Sequence, residues 1–162
     1  MRTLTIRLSL LLLVACCVVV TSSCAAPAEP ALSRGGTYDP RPYAEQLYAL
    51  TNEKRAAEGI ERLKWSPCAA AAATARASQL VGYELSHAPM GPVLNDCSAQ
   101  RAGENLVDSA AAAELVVEAW MNSPGHRNNI VDTAFSHLGV GCARHGEQLL
   151  CAQIYLEMNR PA

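Results

Sequence analysis

The chain reads as an α+β protein, a three-layer α-β-α sandwich around a small antiparallel sheet. Two alanine- and leucine-rich stretches with helical spacing lie in its first half. An alternating, β-branched pair of segments follows after residue 137. A further strand-like run, Ala102 to Val107, sits between them. Apolar stripes at a 3.6-residue period need a partner surface, and a short sheet with two apolar faces provides one on each side.

The first helix is expected from Pro42 to Ala57, because Tyr43, Leu47, Leu50 and Lys54 follow one helical stripe while Glu45, Gln46 and Glu53 turn to water. Ser66-Pro67 is a cap-then-proline start. The run from Cys68 to Val81 is so rich in alanine that its helix should lie tight against a neighbour, with Gly82 as its stop. Ala102 to Val107 as a strand would put Glu104 and Asn105 on opposite faces of the sheet. A third helix is expected to open at Asp108 or Ser109, with Ala113, Val117 and Trp120 on one face and Glu114 and Glu118 on another. Ser123-Pro124 starts one more helix, with Ser123 as N-cap and His126 in the first turn. There the positive end of the helix dipole disfavours the imidazolium. Leu138 to Cys142 and Leu149 to Tyr155 form an antiparallel pair joined by a two-residue turn at Gly146-Glu147.

Residues 1–23 read as a lipoprotein-type signal peptide: Arg2 and Arg7 precede the apolar run Leu8 to Val20, which is short for a membrane span. Cys24, after Thr21-Ser22-Ser23, is the expected lipidation site. Cys16, after Leu13-Val14-Ala15, and ordinary cleavage after Ala26-Pro27-Ala28 remain open beside it. Residues 24–42, rich in Ala, Pro, Gly and Ser, form a flexible tether, and residues 43–160 a single domain. The protein is thus expected at the cell surface, touching the membrane through its anchor alone, or in the medium if it is not lipidated. Without Arg2 and Arg7 the 13 basic residues fall by two against 15 acidic ones, a mature net charge of −4. No basic patch interleaved with aromatics is present, which argues against a nucleic-acid partner.

Three of the seven cysteines lie in the leader region and four remain: Cys68, Cys97, Cys142 and Cys151. An even set in an exported chain implies disulfides. The two-residue turn places Cys142 opposite Cys151, so that pair is expected, and Cys68–Cys97 follows by elimination.

Four motifs occur in order: Asn52-Glu53-Lys54-Arg55, Ser86-His87, Gly103-Glu104-Asn105-Leu106, and the string Trp120-Met121-Asn122-Ser123-Pro124-Gly125-His126-Arg127-Asn128-Asn129-Ile130. Together they resemble the CAP superfamily of cysteine-rich secretory proteins, antigen 5 and pathogenesis-related 1 proteins, in its short bacterial SCP-like form. The resemblance runs from about Tyr43 to Glu157. It implies the CAP fold, the same three-layer sandwich, and a cleft lined by two histidines and two acidic residues. His87, Glu104 and His126 match three of these. At the fourth, three residues after the helix tryptophan, this chain has Ser123 in place of an acid.

Two imidazoles and a carboxylate suit a divalent metal, zinc above all by ligand type, with an open position for water. The competing reading is structural, with Glu104 bonding backbone donors or capping a helix and the histidines satisfied through water. His137, at the start of a strand, is a lesser candidate for the same cleft, and His145 in the hairpin turn reads as solvated. Glu53 reads as a structural brace, and Trp65 and Trp120 as core anchors. Ser123 as a nucleophile is disfavoured if its oxygen caps the helix. The chain contains no G-x-S-x-G, H-E-x-x-H or phosphate-loop motif, and no unpaired domain cysteine.

The expected function is that of a monomeric, surface-anchored binding module for a metal, a small apolar ligand such as a lipid, or a protein. The other reading is a zinc-assisted hydrolase of extracellular peptides or cell-envelope material, in which Glu104 serves as the catalytic group.

Overall fold

The computed structural model describes residues 39–158, which fall within one compact unit. The signal, Cys16, Cys24 and most of the tether lie outside the described residues. α1 (Pro40–Ala57) starts two residues before the expected Pro42, because the Asp39 side chain caps it by accepting from the Arg41 N–H at 3.1 Å. β1 (Lys64–Trp65) leads through Ser66 into α2 (Pro67–Leu80), where the Ser66 hydroxyl accepts from the Ala69 N–H at 3.2 Å. Gly82 follows the end of α2 with φ +82°.

α3 (Gly91–Cys97) has no counterpart in the sequence pattern. It brings Cys97 to Cys68 of α2 and ends on Ser98 in the left-handed region, φ 53°. β2 (Ala99–Ser109) is longer than the expected strand. Asp108 and Ser109 pair with Leu150 and Leu149, so the next helix, α4 (Ala113–Met121), cannot open there. Pairing with a neighbouring strand overrides the capping preference of the two residues.

The sheet order is β1-β3-β4-β2. β2 and β3 (His137–His145) are antiparallel to β4 (Gln148–Met158), as expected, while the two-residue β1 is parallel to β3 and makes the sheet mixed. The hairpin turns at Gly146, φ +61°, and pairs Cys142 directly with Cys151. Both expected disulfides form, Cys68–Cys97 and Cys142–Cys151.

The sheet divides two cores. On one face Leu138, Val140 and Tyr155 pack with Leu47 of α1, Val117 and Trp120 of α4, and Ile130 of α5 (Pro124–Val131). On the other, Leu150, Ala152, Ile154 and Leu156 pack with Ala69, Ala73, Ala77 and Leu80 of α2. Trp120 is the core anchor expected, at 3% exposure, whereas Trp65 is 40% exposed and stands edge-on to Tyr48 at the protein surface. Glu53 is exposed as well, and its motif neighbours do the bracing. Asn52 accepts from the Leu63 N–H at 2.7 Å and donates to the Leu63 carbonyl at 3.0 Å, holding the lead-in to β1 as a strand partner would.

The alanine helix does lie tight, and glycines in β3 make this possible. A Cβ at Gly139 would sit 2.0 Å from the Ala70 nitrogen, and one at Gly141 2.2 Å from the Thr74 nitrogen. Both clashes are with helix backbone, which cannot swing aside. Gly139→Ala is therefore expected to destabilise the domain by about 3 kcal/mol or more, read as a lowered urea midpoint, while Gly125→Ala, whose Cβ meets nothing within 4 Å, leaves the midpoint close to that of the wild type.

Candidate functional site

β2 delivers Glu104 and Asn105 to opposite faces of the sheet, and each receives a different histidine. The Glu104 side chain is 2% exposed. A carboxylate so deep needs partners, and it has two: Arg76 Nε donates to Oε1 at 3.1 Å and His87 Nδ1 donates to Oε2 at 2.8 Å. Arg76, on α2, also donates from Nη2 to the Ser86 carbonyl, so one guanidinium joins the carboxylate to the loop that carries His87. With Nδ1–H given to Glu104, Nε2 is the ring nitrogen of His87 left without a protein partner among the described residues, and the side chain is 62% exposed.

The second histidine is carried by α5. Asn105, fully buried, donates from Nδ2 to the His126 carbonyl at 3.3 Å and accepts at Oδ1 from Asn129 Nδ2 at 2.9 Å. Asn129 donates also to the Glu104 carbonyl at 3.1 Å. A Cβ at Gly103 would stand 2.7 Å from Asn129 Oδ1, so glycine is what lets α5 settle onto β2. At its far end α5 is gripped by Arg55, 1% exposed, whose Nη1 donates to the Ile130 and Asp132 carbonyls at 2.8 Å each. Burial holds the Arg55 guanidinium below its ordinary pKa, against the raising pull of Tyr155, Asp132 and Glu61.

Ser123 departs from expectation. It is the N-cap residue of α5 by position, yet its side chain makes no capping bond. Instead its hydroxyl lies 2.8 Å from His126 Nδ1. The ground for setting Ser123 aside as a nucleophile is therefore removed, since its oxygen faces an imidazole. A hydroxyl can donate to or accept from that ring, so it tolerates either tautomer, where the Glu104 carboxylate selects one for His87. Burial lowers the pKa of His126, and His87 lowers it further.

Among the described residues no three His, Cys, Asp or Glu side chains are grouped to hold a metal ion. The two imidazoles share one feature, an oxygen at Nδ1: Glu104 Oε2 for His87 and Ser123 Oγ for His126. His137 stands elsewhere: it lines a cavity of about 1050 Å³ with Lys64 and Glu157, a cavity that neither His87 nor His126 borders. Its Nδ1 lies 2.9 Å from the Ser136 hydroxyl. His145 is paired rather than simply solvated, donating from Nδ1 to Asp108 Oδ2 at 2.7 Å. Sequence reasoning missed Arg76. The available signal was a lone arginine within an alanine helix that packs against the sheet.

The cysteine-rich secretory protein family (CAP) matches residues 48–155, and the chain belongs to it. It is 30% identical over 112 residues to the uncharacterized protein YkwD of Bacillus subtilis, covering 64% of this chain and 44% of that protein. An extracellular protein of Bacillus anthracis with an SCP domain superposes with a TM-score of 0.65 at 25% identity, covering 73% of this chain and 41% of the other. An outer surface protein of Borrelia burgdorferi gives a TM-score of 0.68 at 20% identity, over 77% of this chain and 99% of that one. The chain spans less than half the length of the curated relatives it matches. No helix of the described residues is long and apolar enough to cross a membrane.

The pKa of His126 is lowered in the folded state, and so is that of His137, by burial first and then by Lys64. Both sites bind protons more weakly than in the unfolded chain, so unfolding takes up protons in acid. The stability tied to their neutral rings is complete above about pH 6.5 and is lost as pH falls through the folded values. Melting temperatures of metal-free protein should therefore drop as the pH falls below about 6.5, with a shallower drop for His126→Gln.

Proposed function

We propose that this CAP domain acts outside the cell as a binding module, and that its ligand site is the pair His87 and His126, able to take a divalent metal, zinc by preference. The observation that carries the reading is the oxygen contact that each ring makes at Nδ1, a carboxylate for His87 and a hydroxyl for His126. Each imidazole is held at Nδ1 by a neighbouring oxygen, which leaves Nε2 as the presented atom of both. Glu104, first expected as a ligand, has both oxygens engaged by Arg76 and His87, and its role here is to orient His87. A metal held by two imidazoles would keep open positions for an oxygen donor on a protein or lipid partner. The mature chain is held at the surface by lipidation of Cys24 and acts as a monomer. The Cys24→Ser chain should accordingly pass from the membrane into the medium, and retention on the membrane would refute the anchor.

A hydrolase is the second reading, favoured by one observation, the Ser123 hydroxyl against the His126 ring. Calorimetry with zinc separates the two. Wild type is expected to bind one zinc, His87→Ala and His126→Ala to lose it, and Glu104→Gln to weaken it roughly 10–100-fold without touching the ligands. Equal zinc binding by the wild type and the histidine double variant contradicts the site. Zinc-dependent cleavage of a peptide or ester by the wild type would replace the binding module with the hydrolase.

A further inference from the structure

β3 has a free edge for most of its length. Two main-chain bonds show which residues face that edge: the Ser66 N–H donates to the Leu138 carbonyl at 3.0 Å, and the Lys64 N–H to the Ser136 carbonyl at 2.9 Å. By the two-residue period of a strand, Val140 and Cys142 turn their N–H and C=O groups the same way. β1 is not there to meet them, because the chain leaves the sheet at Ser66-Pro67 to begin α2. In place of a strand there is a cavity of about 680 Å³, walled by Ala44 and Tyr48 of α1, Ala71 of α2 and the exposed Trp65, with Val140 and Cys142 at its floor.

We infer that this groove takes an extended peptide, which adds to the sheet beside β3 in the position that β1 occupies for its first two residues. The chemistry of the floor selects that partner. Val140 and Cys142 are largely buried, and no strand among the described residues pairs with their edge-facing main-chain groups, so an occupant that covers the edge must supply those hydrogen bonds. An extended peptide does so with its own N–H and C=O groups, whereas an acyl chain leaves them unsatisfied. The walls fit the same occupant. Side chains of a guest strand point alternately toward α1 and α2, and both helices present alanines there, Ala44 on one and Ala70 and Ala71 on the other. Trp65 and Tyr48, edge-to-face at 5.1 Å, close the end near β1 with an aromatic surface. At the rim Arg41 and Glu45 pair with each other at 3.5 Å, which leaves the entrance without net charge and favours an uncharged segment. The inference stands independently of the histidine site.

The test uses an acetylated, amidated hexapeptide of alternating threonine and valine at millimolar concentration, followed by NMR on the whole domain. The peptide is expected to slow amide exchange at Val140 and Cys142 roughly tenfold or more and to change Trp65 fluorescence. The same peptide N-methylated at its valines should do neither. Ala71→Arg, placed at an exposed helix position and checked for unchanged spectra elsewhere, should abolish the effect. Absence of protection by the unmodified peptide overturns the inference, as does equal protection by the N-methylated one. If dodecanoate alters Trp65 and the peptide does not, the groove is an acyl-chain site and the proposal falls.

Discussion

The buried amide of Asn105 is the contact on which the histidine site depends. It stands on β2 beside Glu104 and reaches across to α5, where it holds the backbone of the residue that carries the second imidazole. Gln153 and Tyr155 extend the contact inward: Tyr155 donates to Gln153 Oε1 at 2.5 Å, and Gln153 donates to Thr51 of α1 at 2.7 Å. Burial drives the Tyr155 phenol far above its ordinary pKa, so it remains a neutral donor. Such a network is costly if any member is left unpaired, and for that reason it specifies one relative position of α1, β4, β2 and α5. α5 itself is eight residues long and has one fully buried residue, Ile130. A helix so short has little stability of its own. Its place is set from outside, by Asn105, which bonds the His126 carbonyl near its start and the Asn129 side chain further along, and by Arg55 at its end.

This arrangement gives the two faces of β2 different chemistry. On one, a buried carboxylate balanced by Arg76 fixes the tautomer of His87. On the other, a hydroxyl supports His126 without choosing its tautomer. Serine at position 123, where the family resemblance implied an acid, thus has a definite physical meaning: one imidazole is strictly oriented, and the other can change which nitrogen carries the proton.

Much of this was legible in the sequence where a local rule left one solution. The two-residue turn at Gly146 sets the register of the hairpin, and the register sets the Cys142–Cys151 disulfide. The helix over residues 67–80 and its close packing follow from the proline start and the alanine run. Other features were not legible because they are decided by distant neighbours. Asp108 and Ser109 carry the chemistry of a helix start but are held in β2 by Leu150 and Leu149. Ser123 has the same ambiguity at shorter range: its hydroxyl can cap α5 or meet the His126 ring, and the ring wins. α3 begins at Gly91-Pro92 with no apolar period to mark it. Arg76 became meaningful once Glu104 was seen to be buried beneath it, and Trp65 once β1 was seen to end there.

The claim that α5 is held by polar clamps rather than by its own helicity is tested most directly by hydrogen exchange in Asn105→Ala. The account predicts that amides of Asn128 to Val131 open roughly 5–150-fold faster, the consequence of losing about 1–3 kcal/mol of buried hydrogen bonding, while those of β3 and β4 keep their protection. Unchanged protection of α5, or an equal loss across the whole sheet, would contradict it.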